Sequence, residues 1–142
     1  MTIEQLSVFI ENKPGKLVEA LELLSQAGID LRALSLADTA DFGILRIIVD
    51  QPSLALERLQ AEGYLVRTNQ VVPVSVGDKP GGLAAVLRIL ANNGIDVEYT
   101  YAFVAHASDM AYVILRVADN DVAVNVLKEN GIALLTPAEM FG

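Results

Sequence analysis

The sequence predicts an α+β protein made of two copies of one βαββαβ module. Three observations carry that reading. A six-residue segment recurs, with Asn12-Lys13-Pro14-Gly15-Lys16-Leu17 matching Asp78-Lys79-Pro80-Gly81-Gly82-Leu83 at a shift of 66 positions. The same shift aligns Leu24–Leu31 with Leu90–Val97, each containing Gly-Ile-Asp. Within each copy the apolar spacing switches between the period of a strand and that of a helix. The predicted domains are residues 1–70 and 71–142, so almost no linker separates them.

The first copy reads element by element. Leu6, Val8 and Ile10 alternate as in a half-buried strand. Pro14 is expected in the first turn of a helix, where its missing N–H costs nothing. Leu17, Leu21 and Leu24 then form an apolar stripe at helical spacing, and Gly28 ends it. Leu31–Ala37 reads as the second strand and Ile44–Val49 as the third, joined by the turn-rich segment Asp38–Gly43. Asp50 and Pro52 open a second helix with Leu56 and Leu59 inward, Gly63 stops it, and Tyr64–Thr68 is the fourth strand.

The second copy repeats this order. Val72, Val74 and Val76 give its first strand, and Leu83, Leu87 and Leu90 its first helix. Val97–Val104 and Tyr112–Val117 form the hairpin, and Val122–Asn130 is a helix capped by Asn120 or Asp121. Ile132–Leu135 is the last strand. Ile44-Leu45-Arg46 aligns with Ile114-Leu115-Arg116 at a shift of 70, so the second copy is four residues longer between its hairpin strands. A βαββαβ order fits a ferredoxin-like layer: a four-stranded antiparallel sheet with both helices on one face. Strand alternation sends Phe9, Ile44, Ile48 and Ile114 to the other, open face.

Composition excludes several classes. Net charge is −8, and each half carries −4, from six basic against ten acidic side chains in 1–71 and four against eight in 72–142. Nucleic-acid backbones call for the opposite balance. Strongly apolar stretches such as Gly43–Val49, interrupted by Arg46, are far short of a bilayer crossing, so no membrane role is expected. The N-terminus lacks the pattern of a secretory signal, which favours the cytoplasm. No cysteine is present, which removes thiol chemistry and Cys-type metal sites. The mean hydropathy of +0.43 is high for so short a chain. It points to surface covered in a homo-oligomer, a dimer or tetramer.

The paired Asn/Asp-Lys-Pro-Gly-x-Leu loops, each followed by Gly-Ile-Asp, resemble the ACT domain family across nearly the whole chain, twice. That resemblance implies regulatory modules that bind amino acids or similar small molecules where ACT domains pair, without catalysis and without a cofactor. It implies a stand-alone tandem protein that modulates a metabolic enzyme partner. The loop also resembles that of the regulatory domain of phosphoglycerate dehydrogenase, matched here by Glu11-Asn12-Lys13-Pro14-Gly15-Lys16-Leu17. Ligand contacts are thereby implied at Asn12, Lys13, Pro14, Gly15, Lys16 and Leu17, and at Asp78, Lys79, Pro80, Gly81, Gly82 and Leu83. A second contact is implied at Asp30 and Asp96. Two departures bear on the ligand: Ile10 and Val76 replace a histidine, and both second-contact positions are acidic. They point to a ligand more basic or less polar than serine.

Physical chemistry suits an amino acid at such a loop. A helix start offers unpaired N–H groups and the positive end of a dipole to a carboxylate. Glycine lets a ligand approach the backbone, and Asp30 or Asp96 of a neighbouring domain suits an ammonium. The turn itself accounts for the Pro-Gly pairs as well as a ligand does. Asn12 and Asp78 equally suit turn stabilisation. The sole histidine, His106, falls in the longer hairpin connection Ala105–Asp109 and reads as a solvated loop residue. Tyr99, Tyr101 and Phe103 alternate along one strand of the second copy only, where packing is the simpler reading. No phosphate-binding glycine motif and no nucleophile–base set occurs, so no enzyme is expected. A structural module that assembles an enzyme complex without a ligand is the alternative.

Overall fold

The computed structural model describes residues 2–38, 41–103 and 110–141. The chain divides into two compact units, Glu4–Asn69 and Gln70–Gly142 with Met1–Ile3. The elements are β1 (Ile3–Glu11), α1 (Lys16–Gln26), β2 (Leu31–Asp38), β3 (Phe42–Val49), α2 (Pro52–Ala61) and β4 (Val66–Gly77). They continue with α3 (Gly82–Asn92), β5 (Val97–Ala102), β6 (Met110–Val117), α4 (Asn120–Glu129) and α5 (Pro137–Phe141). Each unit carries the α+β, ferredoxin-like arrangement expected from the repeat.

In the first unit the strand order is β2-β3-β1-β4. β1 pairs antiparallel with β3, placing Leu6 opposite Ile47 and Val8 opposite Leu45. β2 pairs antiparallel with the other side of β3, Leu36 opposite Leu45. Leu65, just before β4, accepts a hydrogen bond from the Phe9 N–H at 3.0 Å. Leu6, Val8, Ile10, Leu45, Ile47 and Val49 face the helices and close a core with Ala20, Leu24, Ala55 and Leu59. These are the alternating and helical positions read from the sequence, so burial of that face drives the layer.

The second unit is built alike. β6 pairs antiparallel with β4, Val74 opposite Val113, and with β5, Thr100 opposite Leu115. Val72, Val74, Val76, Val113, Leu115 and Val117 meet Val86, Leu90, Ala123 and Leu127.

Several boundaries differ from expectation for identifiable reasons. Pro14 lies before α1 rather than in its first turn, because Gly15 takes φ 86° and the helix starts only at Lys16. Asp50 does not cap α2. Gln51 occupies the cap position, and the Asp50 carboxylate instead accepts the Asp30 N–H at 2.9 Å. Neither Asn120 nor Asp121 caps α4; Asp119 does, accepting the Val122 N–H at 3.2 Å.

The two strands expected around Asn69-Gln70 are one strand, β4, with no loop between them. Each of these polar residues is held within its own unit. Gln5 donates to the Asn69 side chain at 3.1 Å, and Thr2 donates to that of Gln70 at 3.0 Å. The Gln70 carbonyl also accepts from Asn120 at 3.1 Å. The expected strand at 132–135 is an isolated bridge, Leu134 opposite Val74, because only Ala133 and Leu135 reach the β4 backbone on that side. Ile48 and Ile114, placed by alternation on the open face, are completely buried within the single chain, whereas Phe9 and Ile44 are half-buried. The connection Ala105–Asp109, with His106, lies outside the described residues.

Candidate functional site

Two loops, one per unit, share one backbone design. In the first, the Lys16 N–H donates to the Lys13 carbonyl at 3.2 Å and closes a turn with Pro14 and Gly15 at its centre. Gly15 has φ 86° and ψ −13°, the third position of a type II turn, which favours glycine, and proline presets the position before it. In the second loop the Gly82 N–H donates to the Lys79 carbonyl at 3.0 Å, and Gly81 has φ 84° and ψ −2°. The Pro-Gly pair is therefore an instruction for the turn. Its consequence is that neither α1 nor α3 receives a side-chain cap. No side-chain acceptor meets the positive end of either helix dipole.

The loop residues differ in how they are presented. Asn12, Lys13, Pro14 and Gly15 are exposed, as are Asp78, Lys79, Pro80 and Gly81. Lys16 is half-buried, and Leu17 and Leu83 pack against their cores. Gly82 is buried. A Cβ built there would stand 1.9 Å from the Gly77 carbonyl oxygen, so α3 begins in direct contact with the end of β4. Gly82 is thus required by packing.

Asp30 and Asp96 are exposed and lie beyond the far ends of α1 and α3 from the loops. Each helix has 11 residues, so about 16 Å separates its ends. One small ligand does not reach both contacts of a single unit. The Asp30 carboxylate is also paired with Arg32 at 3.2 Å.

A cleft of about 890 Å³ opens on the first unit beside its loop. Phe9 and Glu11 of β1 line it, with Phe42 of β3 and Glu62, Gly63, Tyr64 and Leu65 between α2 and β4. The outward side of α1 adds Lys16, Glu19, Glu22, Leu23 and Gln26. Of the ligand contacts implied from the sequence, only Lys16 lines it. A residue-by-residue comparison of the two copies carries the missing signal, since Glu19, Glu22 and Glu62 align with Ala85, Arg88 and Asn130.

Inside the cleft, Lys16 pairs with Glu19 at 3.6 Å. Outside it, Lys13 pairs with Glu11 at 3.2 Å. Burial pushes the Tyr64 phenol above its ordinary value, and the carboxylates of Glu19 and Glu62 add to the rise while Lys16 opposes it. A phenol whose folded pKa exceeds its unfolded value of 10.0 keeps its proton longer when folded. The stability this represents is complete below pH 10 and is lost as pH rises through the folded value. In urea titrations above pH 10, Tyr64→Phe is expected to flatten the alkaline fall in stability. An unchanged slope would count against the electrostatic setting.

Among the described residues no group of three or more His, Asp or Glu side chains is arranged to hold a metal ion, and no helix is long and apolar enough to cross a membrane. In the second unit Tyr99 and Tyr101 stack at 6.4 Å between ring centres, and Phe103 meets Tyr112 at 5.5 Å.

A family model described as an ACT domain pair matches residues 1–140. The chain belongs to this family. A crystal structure of a protein from Bacteroides thetaiotaomicron is 40% identical, with a TM-score of 0.92 over 99% of this chain and 96% of that one. The ligand-free regulatory subunit of aspartate kinase from Thermus thermophilus is 21% identical, with a TM-score of 0.65 over 89% and 91%. The Thermus flavus regulatory subunit of aspartate kinase gives 18% and 0.62 over 89% and 90%. The latter two establish likeness of fold. No curated protein matches the chain. As an ACT domain pair it is of a regulatory rather than a catalytic family, and the tandem ferredoxin-like reading stands.

Proposed function

We propose that this ACT domain pair is a cytoplasmic, non-catalytic regulatory protein that binds an amino acid or a similar small metabolite at its Lys-Pro-Gly loops. Domains 1–70 and 71–142 each supply one loop, and the ligand sits where ACT modules pair. One observation carries this reading: the two type II turns leave two helix starts uncapped, in register with each other in the repeat. Residues Asn12–Leu17 and Asp78–Leu83 then receive the carboxylate. The roughly 16 Å between loop and Asp30, or loop and Asp96, supports an ammonium contact supplied by a second module. Binding favours one arrangement of modules, and a partner metabolic enzyme reads it.

A thermal-shift series of the full chain against the twenty amino acids tests the proposal. A ligand at a hundred times its Kd adds about 2.7 kcal/mol of stability, so at least one amino acid at millimolar concentration is expected to raise Tm. No shift with any of them overturns it.

The alternative, an assembly module that binds no metabolite, is favoured by Leu34 and Leu36. Each is 48% exposed on β2, at the edge of the first unit's sheet. Two such leucines on an edge strand suit the surface of a homodimer or tetramer.

A further inference from the structure

The copies share a scaffold, yet the carboxylates that wall the first unit's cleft are not repeated at the equivalent positions of the second. Positions equivalent to Glu11, Lys16, Glu19, Glu22, Glu62 and Tyr64 hold Gly77, Gly82, Ala85, Arg88, Asn130 and Ile132 in the second. The second unit forms the corresponding two helices and hairpin without any of these polar groups, so the fold does not require them. The lining holds four carboxylates against one ammonium; with Glu19 paired to Lys16 and Glu11 paired to Lys13 just outside, Glu22 and Glu62 leave an excess of two negative charges. Lys16 is already engaged with Glu19, and Glu22 and Glu62 form no ion pair among the described residues. The apolar share of the wall comes from Phe9, Phe42, Leu23 and Leu65, with Phe42 and Leu65 exposed at 48% and 59%. The carboxylates are not gathered tightly enough to hold a metal ion.

We infer that this cleft takes a small organic cation, an ammonium or guanidinium carried on an apolar chain. The charged end meets Glu22 and Glu62, and the chain lies on the aromatic and leucine side chains. Such a ligand supplies what the cleft lacks. A cation relieves the repulsion among the carboxylates, gains charge-assisted hydrogen bonds and can sit on the ring faces of Tyr64 or Phe42. A neutral or acidic solute offers none of these. The cleft begins at Lys16, the first residue of α1, and Glu22 lies six residues further along that helix. The distance is about 9 Å, the reach of an extended amine-bearing side chain. The inference therefore rests on the loop-binding reading for an α-carboxylate and extends it to the other end of the molecule. A diamine and a basic amino acid share the chemistry, and only the latter also uses the loop.

Calorimetric titration of the full chain with arginine, lysine, 1,5-diaminopentane, norleucine and glutamate decides it. Arginine or lysine is expected to bind at least about tenfold more tightly than norleucine, and glutamate not at all. The preference is expected to shrink as salt rises. Glu22→Gln with Glu62→Gln is expected to abolish the preference, while the exposed Glu57→Gln on α2 leaves it intact. Binding of 1,5-diaminopentane alone would place the cation in the cleft without help from the loop, a failure of the loop reading only. Norleucine equal to lysine, or a preference that survives the double substitution, overturns the cationic cleft and leaves loop binding standing. No binding by any of the five overturns the cleft.

Discussion

Gly82→Ala is expected to destabilise the second unit by about 1–3 kcal/mol, the range for an overpacked site. The added methyl meets the Gly77 carbonyl oxygen at 1.9 Å and its carbon at 2.9 Å. Both are backbone atoms in a paired strand, Gly77 opposite Met110, so neither rotates out of the way. Either α3 lifts from the sheet or the turn before it opens, and both disturb the loop at Asp78–Gly81. The equivalent position in the first unit is Lys16, whose half-buried side chain lines the cleft and pairs with Glu19. Lys16→Ala is therefore expected to change stability by less than about 0.5 kcal/mol. Urea midpoints at constant m-value measure both. A Gly82→Ala protein as stable as the parent would mean that α3 does not start against β4.

That contrast shows why the repeat made the scaffold legible and hid the site. Shared features, the Pro-Gly turns and the Leu stripes, repeat because each unit needs them to fold. They set the order of elements and inward residues such as Leu24, Leu90 and Leu59. The boundaries were decided by groups whose alternatives look equal along the chain. Asp119, Asn120 and Asp121 are all good caps, and only the backbone angle at Asp119 selects it. Asn69-Gln70 reads as a polar link until Gln5, Thr2 and Asn120 are seen to hold it in a strand. α5 carried a readable signal, Thr136 and Glu139 three apart in a capping box, with Thr136 Oγ1 to Glu139 Oε1 at 3.0 Å. The cleft was hidden for another reason. Three of its carboxylates lie on the outward side of α1 and after α2, where charges usually serve solubility, and only folding brings Glu19 and Glu22 beside Phe42 and Tyr64.

Leu59 and Leu127 occupy equivalent positions of α2 and α4 and are completely buried, each in a separate cluster. Truncating either to alanine removes methyl groups from a packed site and leaves a cavity, an expected loss of about 2–5 kcal/mol. That is a large part of the 5–15 kcal/mol by which a domain typically exceeds its unfolded state. The two substitutions are equal in chemistry and differ in which core they weaken, so they ask how far each core stands alone. Hydrogen exchange answers it. If residues 1–70 and 71–142 are domains in the energetic sense, Leu59→Ala lowers protection in α1, α2, β1 and β3 first. Leu127→Ala then does so in α3, α4 and β6. The strand β4, which belongs to both units, responds to each substitution in its own half. Uniform loss across all helices in both variants would instead make the pair one cooperative body. Ligand control would then act on the whole chain rather than on one module at a time.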